Sequence, residues 1–178
     1  MTMAHRAFAF DYAAFNAELG PVLLGALEAG DGAAVLEWIE ANLRDLVEPE
    51  SGDPLPKNWQ ALLEEGDVHE LGDFALTKYY DGDLDIGLDV EWQKIGDLLE
   101  KSGLDRAPVL GTPLGPPGAA FDPGRQGSYF QSAAEVSGAL EPLQALLQAQ
   151  PALATDLLPL QGMLQQAVRH GRGLYVTF

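Results

Sequence analysis

The chain has 178 residues, 47% of them hydrophobic, enough for one domain to bury a real core without staples. Cysteine is absent, which excludes disulfides, thiolate metal sites and a cysteine nucleophile. With 27 acidic residues against 10 basic, a formal charge of −17, the chain lacks the Lys/Arg surface that nucleic acid requires, and the partner its charge favours is a basic protein.

The opening MTMAHRAFAF has neither the apolar segment nor the cleavage site of a secretory signal, and no apolar run reaches the roughly 18 residues of a membrane span. A cytoplasmic protein forming one domain over 1–178, without membrane attachment, is the expectation. Asp11 is placed to cap a helix carrying Phe15 and Leu19, and Gly20-Pro21 breaks it before a restart over 22–27. Asp31 opens the clearest amphipathic helix, with Val35, Leu36, Ile39, Leu43 and Leu46 at helical spacing and Trp38 at the core edge, ending before Pro49.

EPESGDPLP, over 48–56, is turn residues throughout and reads as a surface loop. KNWQALLEE predicts a short helix with Trp59, Leu62 and Leu63 inward, stopped by Gly66. DFALTKYY, over 73–80, is aromatic and alternating enough to predict a strand.

DGDLDIGLDVEW sets Asp81, Asp83, Asp85 and Asp89 at ligand positions 1, 3, 5 and 9 of a calcium loop, but the glycine falls one place late at Gly87 and Trp92 replaces the closing glutamate. The reading that ranks above calcium is a short strand over 84–86 whose carboxylates face water and cap the next helix. That helix, over 89–101, puts Trp92, Ile95, Leu98 and Leu99 on one face.

The glycine- and proline-rich stretch 107–127 predicts a long loop, and it lacks any phosphate-binding glycine motif. Ser132 and Glu135 form a capping box ahead of Val136, Leu140, Leu143 and Leu147, with Pro142 expected to kink or divide the helix. Pro151 and Pro159 are expected to break the stretch before a last helix with Leu160, Met163, Leu164 and Val168, and LYVTF predicts a strand inside a sheet.

The LD-rich segment and Trp helix (LDVEWQKIGDLLEKSG), the PLG loop, the helix opening in SYFQSAAEVSGALEPL and the final GLYV strand together resemble the YfbM-like family of small bacterial domains of unknown function. The resemblance covers about half the chain and rests on Asp85, Trp92, Pro113, Leu114, Gly115, Tyr129, Ser132, Glu135 and Val136. The helix after Trp92 departs from the family in lacking a histidine. What it implies is a bacterial cytoplasmic α+β domain, with no catalytic residue carried over.

The three histidines, His5, His69 and His170, are scattered, and no serine sits in a nucleophile motif, so neither a catalytic residue nor a cofactor is assigned. Asp122, Arg125, Tyr129 and Gln131 form the most clustered polar group and read as a recognition surface. The expected fold is α+β, a mostly helical single domain with a small mixed sheet that includes the C-terminal strand. The expected function is a non-enzymatic interaction protein, of the immunity kind among others, binding a basic protein through its acidic surface and the 107–131 loop. The alternatives are a small-molecule or calcium-binding domain, or a hydrolase with a carboxylate-based site.

Overall fold

The structure, a computed structural model, describes residues 3–178. In chain order its elements are β1 (Arg6–Phe10), α1 (Tyr12–Ala17), α2 (Gly20–Ala29), α3 (Ala33–Asn42), α4 (Val68–Leu76), α5 (Trp92–Lys101), α6 (Ala107–Leu110), β2 (Ser128–Gln131), α7 (Ala133–Ala149), α8 (Ala154–Arg169) and β3 (Gly173–Thr177). Short 3-10 turns lie at Leu43–Asp45, Trp59–Leu62 and Pro151–Leu153. The fold is α+β and mostly helical, and its three strands run antiparallel, where a mixed sheet was expected. The backbone divides into two compact units, each assembled from segments distant in sequence.

The first unit holds the residues up to Tyr12 with Leu84–Thr112 and Tyr129–Phe178. Its sheet has the order β1-β3-β2, so the C-terminal strand is central, which suits the apolar run Leu174, Tyr175, Val176. β1 pairs with β3 from Arg6 opposite Thr177 to Phe10 opposite Gly173. Phe130 stacks on Tyr175 with ring centroids 5.1 Å apart, and Phe10 packs against both. α7 begins at the Ser132 capping box, in which the Ser132 hydroxyl accepts the Glu135 N–H and Glu135 accepts the Ser132 N–H. α7 and α8 bury Val136, Leu143, Leu157, Leu160 and Leu164 with Ala7, Leu174 and Val176 of the strands, each large side chain contributing about 1.5–3 kcal/mol.

The second unit holds Ala13–Asp83 and Pro113–Ser128. α2, α3 and α4 pack together there around Leu23, Leu27, Val35, Ile39, Leu71 and Ala75. α3 ends at Asn42 and passes into a 3-10 turn, with Leu46 buried beyond it.

Several expectations are corrected. The segment 73–80 is no strand: α4 starts at the Asp67 cap and runs to Leu76, because Val68, Leu71, Phe74 and Ala75 repeat at helical spacing. The segment 84–86 is not a regular strand either; it runs irregularly along β1, with Ile86 N–H donating to the Ala7 carbonyl and His5 exchanging hydrogen bonds with Asp89. No carboxylate side chain caps α5, and Trp92 lies half-buried at the edge of the core, against Phe178 with its Nε1–H donating to the Met3 carbonyl. Over 57–65 only the 3-10 turn forms, which buries Trp59 and leaves Leu62 exposed. Pro142 does not divide α7 and Pro159 does not break α8, since buried apolar residues on both sides of each proline, Val136 and Leu143 in α7 and Leu157 and Leu160 in α8, hold the helices in place. β1 was not anticipated at all.

Candidate functional site

Eight carboxylates, His69 and Arg125 of the second unit line one cleft of about 790 Å3, and local hydrogen bonding explains how. Asp67 caps α4 by accepting the Glu70 N–H at 2.9 Å. Glu70 in turn reaches back and gathers three backbone donors, the N–H groups of Glu64, Glu65 and Gly66 at 2.6, 2.9 and 2.6 Å. The 64–66 turn, with Gly66 at a φ of 66°, is thereby fixed beside the helix start. On the opposite side, Glu48 accepts the N–H groups of Glu50 and Ser51 and rigidifies the loop that the sequence marks as turn.

Residues 118–125 supply the remaining wall. His69 stacks on Phe121, and its Nδ1 accepts the Asp122 N–H at 3.1 Å. The Asp122 carboxylate accepts the Gln126 and Gly127 N–H groups, closing that loop on itself. Arg125, at a φ of 56°, lays its guanidinium across both Glu65 oxygens at 2.8 and 3.0 Å.

The electrostatic result is lopsided. Glu48, Glu50, Glu64, Glu65, Asp67, Glu70, Asp73 and Asp122 line the cleft with Arg125 as its single permanent cation. Asp73, half-buried on α4, is pushed up to about 7, first by burial and then by the carboxylates of Glu48, Glu50 and Glu70. Glu48 goes the other way: burial would raise it, but its hydrogen bonds from Ser51 and Glu50 hold it below the usual carboxylate range.

The residues anticipated from sequence are dispersed. Asp122 and Arg125 lie on this cleft, whereas Tyr129 and Gln131 belong to the first unit. Tyr129 is half-buried with its ring edge-on to Phe178, and Gln131 is 3% exposed, donating to the Pro108 carbonyl. Asp85 accepts the N–H groups of Ala7 and Gly87 and pairs with Arg6, and Asp81 accepts the Asp83 N–H. Gly87 sits where it does because a side chain there would meet the His5 carbonyl and the Arg6 and Ala7 backbone, a close approach unrelated to ion binding. Among the described residues no group of three or more His, Asp or Glu is arranged to hold a metal ion. His5 is buried, His69 joins the cleft and His170 is exposed.

Sequence reasoning missed Glu70 and Asp73 as site residues. The signal was available in Asp67-x-x-Glu70, a capping pattern directly after Gly66 and ahead of an apolar stripe. No family model, curated protein or solved structure matches the chain significantly. Among the described residues no helix is long and apolar enough to cross a membrane.

Proposed function

We propose that the protein is a non-enzymatic interaction protein whose acidic cleft receives an arginine- or lysine-bearing segment of a basic protein. The observation that supports this reading is the convergence of eight carboxylates on one concavity with a single guanidinium among them. Burial first, and then repulsion from Glu48, Glu50 and Glu70, raises Asp73 to about 7, and an incoming cation relieves the repulsive part. Arg125, whose Nη2 donates to both Glu65 oxygens, already pairs with one of these acceptors, and a partner's arginine would take up others in the same way. The YfbM-like resemblance over 84–147 and the C-terminal strand belongs to the same proposal, as a kinship of fold without an activity attached.

The test is fluorescence anisotropy of a labelled nona-arginine peptide with the full chain. Affinity should fall steeply with salt and rise between pH 6 and 8 as Asp73 ionises. Glu64→Gln with Glu50→Gln should weaken binding about tenfold, and Arg125→Ala should strengthen it. Equal losses from Glu37→Gln on the exposed face of α3 would reduce the effect to net charge and reject the cleft.

A second reading, a hydrolase with a carboxylate-based site, draws on one observation: Glu48 held low and Asp73 raised to about 7 beside His69 in the same cleft. It requires turnover of a chromogenic ester or glycoside that Asp73→Asn abolishes.

A further inference from the structure

The first unit contains a separate cavity of about 320 Å3, within the range of small-ligand sites. Its walls are apolar, from Leu99 on α5, Leu143 on α7 and Leu160 and Leu164 on α8. Its polar groups are few, and all of them are placed by the fold. Gln131, at the end of β2, is 3% exposed, and its Nε2 donates to the Pro108 carbonyl at 3.0 Å. That bond fixes the amide, and Gln131 is part of the cavity lining. Several backbone donors of the lining are spent: Ala107 N–H goes to Asp105, Gly111 N–H to the Ala107 carbonyl and Thr112 N–H to the Phe130 carbonyl. The charged residues of the lining are Asp105 and Glu135, both exposed carboxylates, and no Lys, Arg or His accompanies them.

We infer that this cavity is a binding site for a small hydrophobic amine, its apolar body among the leucines and its ammonium directed to Gln131 Oε1 and the Asp105 and Glu135 carboxylates. The chemistry selects the class. A buried amide acceptor in an apolar wall favours a ligand that brings its own donor, and two carboxylates without a countercharge favour one that brings positive charge. Fatty acids and other anions meet repulsion from Asp105 and Glu135 and find no Lys, Arg or His on the lining. The inference concerns the first unit alone and is independent of the acidic cleft of the second.

The test is a heteronuclear NMR titration of the full chain with benzylamine, toluene and benzoate. Benzylamine should shift the amides of Gln131, Ala139 and Leu164 saturably, toluene should bind about tenfold more weakly, and benzoate should leave them unmoved. Glu135→Gln, which keeps the capping box and removes the charge, should weaken benzylamine about tenfold while leaving toluene unchanged. Ala139→Phe should fill the cavity and abolish both. No saturable shift with benzylamine, shifts that persist in Ala139→Phe with its spectrum otherwise native, or benzoate binding equal to benzylamine would overturn the inference.

Discussion

Protonating His5 would cost the first unit a buried hydrogen bond. The ring is 1% exposed; its Nε2–H donates to the Val109 carbonyl at 2.6 Å while Nδ1 accepts the Leu88 N–H at 3.1 Å, so the neutral ring is the form that fits. Burial accordingly lowers its pKa from 6.5, and a histidine shifted that way contributes stability that is in place above 6.5 and lost as pH falls. We expect acid titration below pH 6.5 to remove about 1–3 kcal/mol, the cost of stranding the Leu88 N–H. His5→Gln should start less stable at pH 8 and show a flatter acid limb; parallel limbs would reject the assignment. In the sequence His5 is one of three scattered histidines, and its role was not legible because both its partners lie more than 80 positions away. Asp122 shows what the sequence leaves out: its type and setting suggest recognition, and its carboxylate also accepts the N–H groups four and five residues ahead, which fixes its loop on the cleft wall.

Among the misread elements, α4 is the one that organises the cleft. The stretch DFALTKYY, whose first four residues close α4, has strand-like composition, and tertiary packing overrides that preference. Gly72 shows how tightly: a methyl group there would approach the Phe121 ring to 2.6 Å and Leu23 to 3.0 Å. Gly72→Ala should therefore destabilise by about 1–3 kcal/mol despite improving helix propensity, visible as a lower urea midpoint with an unchanged slope. A neutral or stabilising result would mean that Phe121 is free to move aside. Elements whose signals were local were legible: the Ser132 capping box opens α7 where the sequence places it, and LYVTF is a buried strand. β1 escaped because RAFAF is short and gains its identity only from β3, which no local pattern reveals.

At the scale of the molecule, the two units carry opposite acid responses. In the second, Asp73 has a folded pKa raised from 3.8 to about 7, so its contribution is fully present below 3.8 and is lost as pH rises through 7. Acidification from pH 7.5 to 5.5 should stabilise that unit and weaken the first. Single-tryptophan variants, retaining Trp92 for the first unit or Trp59 for the second, should report melting temperatures that move in opposite directions; Asp73→Asn should cancel the shift at Trp59 and raise its melting point at pH 8 by about 2–4 °C. Identical shifts at both probes would exclude opposed titration. The position of β3 has a further consequence during synthesis. Arg6 pairs with Thr177, so β1 leaves the ribosome long before the strand it must join, and at about 5–20 residues per second it waits roughly 10–30 s with Ala7, Phe8 and Phe10 uncovered. Nascent chains stalled before β3 should therefore bind holdase chaperones more strongly than chains stalled after it.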